Sequence, residues 1–161
     1  MKKYGLFLAT VLVIFTLDQL TKHWITSSFS IYESVPVLDG FFHLTYIRNP
    51  GAAFGFLAGA NHYFRSVFFI TANIFAIGLM LFYLFKIDQR SSVLILGLSM
   101  IMAGAWGNLV DRLRFGEVVD FLDFFLIGWH WPAFNVADSA ITIGAFLLIW
   151  EILKTDKKNR I

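Results

Sequence analysis

Several carboxylates, amides and cations of this sequence stand within or beside long apolar runs: Asp18 and Lys22; Asn108, Asp111 and Arg112; Glu117, Asp120 and Asp123; Asn135 and Asp138. A charge at the centre of a membrane-spanning helix costs about 3 kcal/mol on insertion scales, so each needs a reason. Asp18 and Lys22 are four residues apart, share a helical face and can pair. Gly104, Asn108 and Arg112 recur every four residues with Asp111 beside them, and Asn135 and Asp138 are three apart. The amides of Asn108 and Asn135 can donate to a carboxylate. Asp120 lies in the apolar run Val118–Leu122, an unusual place for a solvated charge, whereas Glu117 and Asp123 read as solvated loop charges.

These residue types suit one chemistry in particular. Two carboxylates sharing a site cannot both ionise easily, so one is pushed up and the pair titrates as a unit. The ionised member can take a proton from water while the protonated one polarises a peptide carbonyl. Water attack gives a tetrahedral diol, and proton return to the leaving amine completes hydrolysis. Asp120 and Asp138 can form such a pair if they meet, although spacing alone does not set Asp120 above Asp111. Structural roles compete at each position: an ion pair anchoring a helix end at Asp18–Lys22, a helix-end brace at Asp111–Arg112, and a helix cap at Asn135 with Asp138 favoured by the dipole of the first turn. There is no Cys, which excludes disulfides, thiol catalysis and thiolate metal sites. Ser139 follows Asp138, but no His or Lys is placed to activate it. His23, His43, His62 and His130 are scattered, without metal-ligand spacing, so neither a metal nor a cofactor is expected.

The elements that must position these residues are membrane helices. Of the 161 residues, 58% are hydrophobic and 15% charged, against about a quarter charged in soluble domains; mean hydropathy is +0.69. Four stretches are long enough to cross a bilayer: residues 4–25, 66–85, 92–110 and 137–153. The first follows Lys2 and Lys3 as a signal peptide would, but no A-x-A site ends it and a retained helix is expected. Lys2, Lys3, Lys86, Arg90, Lys154, Lys157, Lys158 and Arg160 fall on one side, and Lys22, Arg48, Arg65, Arg112 and Arg114 on the other. That bias puts both termini in the cytoplasm and residues 26–65 and 113–136 outside. Within the first outer loop, Phe41–Ile47 reads as strand, Asn49-Pro50-Gly51 as a turn, and residues 51–59 as an interfacial segment too short to span. With this orientation the polar clusters of the first, third and fourth helices converge at one depth, near the outer surface. No basic stripe points to nucleic acid.

At these residues the sequence resembles the bacterial lipoprotein signal peptidases, or type II signal peptidases. Five blocks carry the likeness in family order: Asp18-Gln19-Leu20-Thr21-Lys22; Arg48-Asn49-Pro50-Gly51-Ala52-Ala53-Phe54; Gly104 to Arg112; Gly116 to Phe121; and Phe134-Asn135-Val136-Ala137-Asp138-Ser139. The resemblance implies one membrane-embedded peptidase domain, an all-α membrane fold of four transmembrane helices with a small extracytoplasmic β-cradle and an interfacial helix. It implies Asp120 and Asp138 as a catalytic dyad, with Asn49, Asn108, Arg112 and Asn135 positioning dyad and substrate. Asp18 and Lys22 would support the site, and Gly104 would leave room beside the signal peptide. The implied substrates are prolipoproteins carrying a diacylglyceryl-Cys, cut just before that Cys in the cell inner membrane without a metal; inhibition by globomycin-like cyclic peptides is implied too. Phe54, Phe56 and the cradle are candidates to grip the acyl chains. A monomer among membrane lipids is expected, since no coiled coil appears and neither Gly97 and Gly104 nor Gly104 and Gly107 have GxxxG spacing.

Two other readings compete. A small proton or ion carrier would use Asp18, Lys22 and Asp138 as a relay, but the inner halves of the spans carry almost no charge, with only Glu151 near the cytoplasmic end. A non-catalytic membrane scaffold would be indifferent to Asp120→Asn and Asp138→Asn.

Overall fold

A computed structural model describes residues 2–51, 57, 60–86, 91–126 and 129–159. Four helices, α1 (Lys2–Ser28), α2 (His62–Lys86), α3 (Ser92–Phe115) and α4 (Val136–Asn159), are long and apolar enough to cross a membrane. α3 is the central post. In its most apolar stretch 61% of residues are buried, against 6–17% in the other three, whose Leu, Ile and Phe side chains face outward as they must in lipid. α3 packs against α1, α2 and α4, and α1 also touches α4.

Small residues permit this packing. At Gly97 a Cβ would lie 2.9 Å from the Gly144 carbonyl, so these two glycines bring the α3 and α4 backbones together. Lipid offers no hydrophobic drive between helices, so close van der Waals packing is what associates them.

Four antiparallel strands in the order β1 (Ser34–Leu38), β2 (Phe42–Asn49), β3 (Val118–Leu126) and β4 (Trp129–His130) form a small sheet at one end of the bundle. The strand expected at 41–47 is β2. The segment read as a plain outer loop contains β3, whose Val118–Phe121 stretch is buried. The chain enters β3 from α3 through Gly116, at φ +74°, where its N–H bonds back to the Arg112 carbonyl at 2.9 Å. Ile47 then stands opposite Asp120 and Asn49 opposite Val118. Ile25, Tyr46, Val119 and Phe121 form a core that fixes the sheet to the C-terminal end of α1.

Asp123 corrects the sequence reading. It is buried, 6% exposed, accepting from Thr45 Oγ1 at 3.2 Å and lying 3.3 Å from His130 Nδ1. Its alternation with Leu122 and Phe124 points it into the sheet face that Thr45 occupies, and only the pairing of β2 with β3 reveals that. The interfacial segment expected at 51–59, with Phe54 and Phe56, lies almost wholly outside the described residues, as does most of the inner loop.

Candidate active site

The site lies where the C-terminal ends of α1 and α3 and the N-terminal end of α4 meet β2 and β3. A cavity of about 520 Å³ opens there, lined by Asn49, Gly51, Asn108, Arg112, Asp120 and Asp138, with Phe69 of α2, Trp131–Phe134, Ile141 and Ile143 as its apolar walls. Every charged or amide residue singled out for catalysis or positioning lies in this cavity or directly behind it.

Three asparagines share one construction. The Asn135 carbonyl accepts the N–H of Asp138 at 2.8 Å, the helix cap expected for α4. That cap turns the amide nitrogen the other way, 2.7 Å from Asp120 Oδ1, 3.2 Å from the Val119 carbonyl and 3.3 Å from Asn108 Oδ1. The Asn49 carbonyl accepts the Gly51 N–H at 3.0 Å, closing an Asx turn, and its amide nitrogen lies 2.8 Å from Asp120 Oδ2. Asn108 takes Lys22 Nζ on its carbonyl at 3.1 Å and donates to Asp138 Oδ1 at 2.8 Å. In each case a cation or N–H occupies the carbonyl, which leaves the NH₂ free to donate to a carboxylate. The cap at Asn135 and its contact with Asp120 are one geometry, not rival roles.

Asp120 is 1% exposed, and its carboxyl is pushed up to about 7. Burial is the main cause and the charge of Asp138 the second; the amides of Asn49 and Asn135 and the ammonium of Lys22 pull the other way. Asp138 is half-buried, in the first turn of α4, where the helix dipole favours a negative charge.

Beneath the cavity, Lys22 Nζ lies 2.9 Å from Asp18 Oδ2 and 2.9 Å from Asp111 Oδ2. The expected i,i+4 pair is therefore half of a buried three-residue cluster, and Asp111 pairs with α1 rather than bracing its neighbour. Arg112 instead donates to the Gly51 carbonyl at 3.2 Å and lies over the Phe69 ring at 5.0 Å. It so ties α3 to the turn after β2.

Gly104 departs from its expected place. A Cβ there would strike the Ala137 carbonyl and Ile141, so its open face is taken by α4 and not by the cavity. Gly107 does the same for Asp18, whose carboxylate fills the space a Cβ would need. Gln19, whose amide nitrogen is 3.1 Å from Asp18 Oδ2 and 3.4 Å from Asp111 Oδ1, was not singled out from the sequence. Both sit inside the motif blocks, which was the available signal; Phe69 and the Ile141–Ile143 wall carried none. Among the described residues no three His, Asp or Glu side chains converge as metal ligands.

Fold and site together define a polytopic membrane protein with an acidic pair set in a half-apolar cavity at one end of its helices. The model of the family described as signal peptidase (SPase) II matches residues 10–154, and the chain belongs to that family. It is 52% identical over 154 residues to a lipoprotein signal peptidase of Syntrophus aciditrophicus (strain SB), covering 96% of each chain. It is 44% identical over 156 residues to one of Geobacter sulfurreducens, covering 97% of this chain and 96% of the other. Among solved structures it resembles a bacterial membrane enzyme determined by the in meso method at 2.3 Å resolution, with a TM-score of 0.87, 35% identity, and coverage of 98% of this chain and 92% of that one.

Proposed function

We propose that this chain is a metal-independent aspartic endopeptidase that removes signal peptides from diacylglyceryl-modified prolipoproteins, cutting just before the lipid-modified Cys. The observation that carries the reading is the asymmetry of Asp120 and Asp138 on one cavity. Asp120, buried and raised to about 7, is the member that keeps a proton, and the half-buried Asp138, at the head of α4, serves as the base. Asp138 takes a proton from water, Asp120 donates to the scissile carbonyl, and the tetrahedral diol collapses as a proton passes to the leaving amine. Asn49, Asn108 and Asn135 hold both carboxyl groups through the exchange, so little reorganisation accompanies the chemistry. Arg112 fixes the Gly51 turn at the cavity rim.

The apolar walls suit a lipidated substrate. Phe69 of α2 and Ile141 and Ile143 of α4 face the cavity, and among the described residues both helices pack on α3 rather than closely on each other. A signal helix entering between them brings its bond to the pair while its acyl chains stay in lipid. We read the chain as a monomer of the bacterial inner membrane, with both termini cytoplasmic and the site near the outer surface, an orientation that the charge bias of the loops supports. A carrier is disfavoured by the uncharged level beyond the Asp18–Lys22–Asp111 cluster, where Gly97 and Gly144 bring the helix backbones together.

The test is a gel-shift assay with purified protein and a diacylglyceryl-modified prolipoprotein. Wild type converts substrate to the shorter form, and Asp120→Asn and Asp138→Asn do not. Turnover by either variant at the wild-type rate overturns the reading.

A further inference from the structure

Two buried acids behind the cavity occupy matching places. Asp18 Oδ1 accepts the N–H of Ala137, the residue before Asp138, at 2.9 Å. Asp111 Oδ2 accepts the N–H of Val119, the residue before Asp120, at 3.2 Å. Lys22 spans the two at 2.9 Å each and gives a further bond to Asn108, whose amide continues to Asp138. Gln19 closes the group by reaching both carboxylates.

We propose that Asp111 is a positioning residue for Asp120, the counterpart of Asp18 for Asp138, and that Lys22 yokes the two so that the spacing of the catalytic carboxyl groups is set from behind. This rests on the reading of Asp120 and Asp138 as the catalytic pair. The physical case is one of register. A slip of one residue in a strand turns every side chain to the opposite face. Val119 is gripped through both backbone groups, its N–H by Asp111 and its carbonyl by Asn135 at 3.2 Å, so Asp120 keeps facing the cavity. A charged acceptor makes a stronger bond than a neutral one, and Lys22 keeps that charge compensated in a site closed to solvent. Since Asp18 acts on α4 and Asp111 on β3, the yoke joins the two elements that carry the pair, which share no sequence neighbourhood.

The experiment uses the full chain in the gel-shift assay with Asp111→Asn, Gln19→Glu and Asp120→Asn, each followed across pH and by thermal unfolding. Asp111→Asn is expected to lower kcat by about 10²-fold with KM nearly unchanged, as expected of a misplaced reacting group. Its alkaline limb moves to lower pH, because Lys22, no longer neutralised by Asp111, then acts more fully on Asp120. Gln19→Glu adds a negative charge at a part-exposed position of equal volume, so its limb moves to higher pH; it decides the matter if Asp111→Asn does not fold. Lowered thermal stability with kcat and both limbs as in wild type overturns the positioning role. If Asp120→Asn itself turns over substrate, the catalytic reading fails instead; if it is inactive while Asp111→Asn behaves as wild type, only the yoke fails.

Discussion

The Asn135 amide nitrogen lies 2.7 Å from Asp120 Oδ1, and it is aimed there because the same side chain caps α4 through its carbonyl. One residue thus couples the start of a membrane helix to the orientation of a carboxyl group on a strand. Asn49 and Asn108 work alike, with the carbonyl engaged by an Asx turn or by Lys22.

Separating the two duties of Asn135 is the first prediction. Asn135→Ser keeps a capping oxygen and loses the donor to Asp120. Stability should fall by about 1–3 kcal/mol, because the cap is kept while the buried Val119 carbonyl and Asp120 lose a donor. The rate in the gel-shift assay should fall at least tenfold. Asn135→Asp, nearly isosteric, sets a carboxylate against Asp120 and should be the worse enzyme of the two.

The raised carboxyl of Asp120 gives a pH dependence. If the pair works with Asp120 protonated, kcat/KM falls as pH rises through about 7. Stability follows the same group. Its folded-state value lies above the ordinary 3.8, so between about 4 and 7 the folded state binds more protons than the unfolded one, and stability falls as pH rises across that window. Asp120→Asn removes the dependence, so its thermal midpoint should gain on wild type from pH 5 to pH 8. A constant difference across that range would contradict the assignment.

Glycine substitutions should rank by what a Cβ meets. Gly107→Ala strikes the Asp18 carboxylate and Gly104→Ala the Ala137 carbonyl, so each should cost about 1–3 kcal/mol as overpacking. Nothing lies within 4 Å of a Cβ at Gly78, and Gly78→Ala should be neutral or gain up to about 1 kcal/mol. Thermal unfolding in detergent reads all three.

The apolar wall should act on the lipid. Ile143 lines the cavity and is half exposed on α4. Ile143→Ser should raise KM for the diacylglyceryl substrate several-fold and leave an unlipidated analogue unchanged. Equal losses on both would remove the acyl contact from this face.

Much of this was legible in the residues. Apolar length located four spans, and polar interruptions at Asp18, Asn108 and Asp138 pointed to one end of the bundle because adjacent membrane helices alternate in direction. The i,i+4 spacing of Asp18 and Lys22 predicted their pairing, and Asn135 read as the cap it is. What spacing could not decide was long-range. Asp111 and Asp120 are both acids near the end of α3, and only the turn at Gly116 and the register of β3 against β2 carry Asp120 into the cavity while Asp111 goes back to Lys22. Asp123 looked solvated until β2 brought Thr45 beside it, and Gly104 looked like room for substrate until α4 occupied it. Helical periodicity and hydropathy are local and survive in a linear string. Which acid is paired, which is protonated and which glycine is filled depend on contacts between distant segments, and those exist only once the chain has packed.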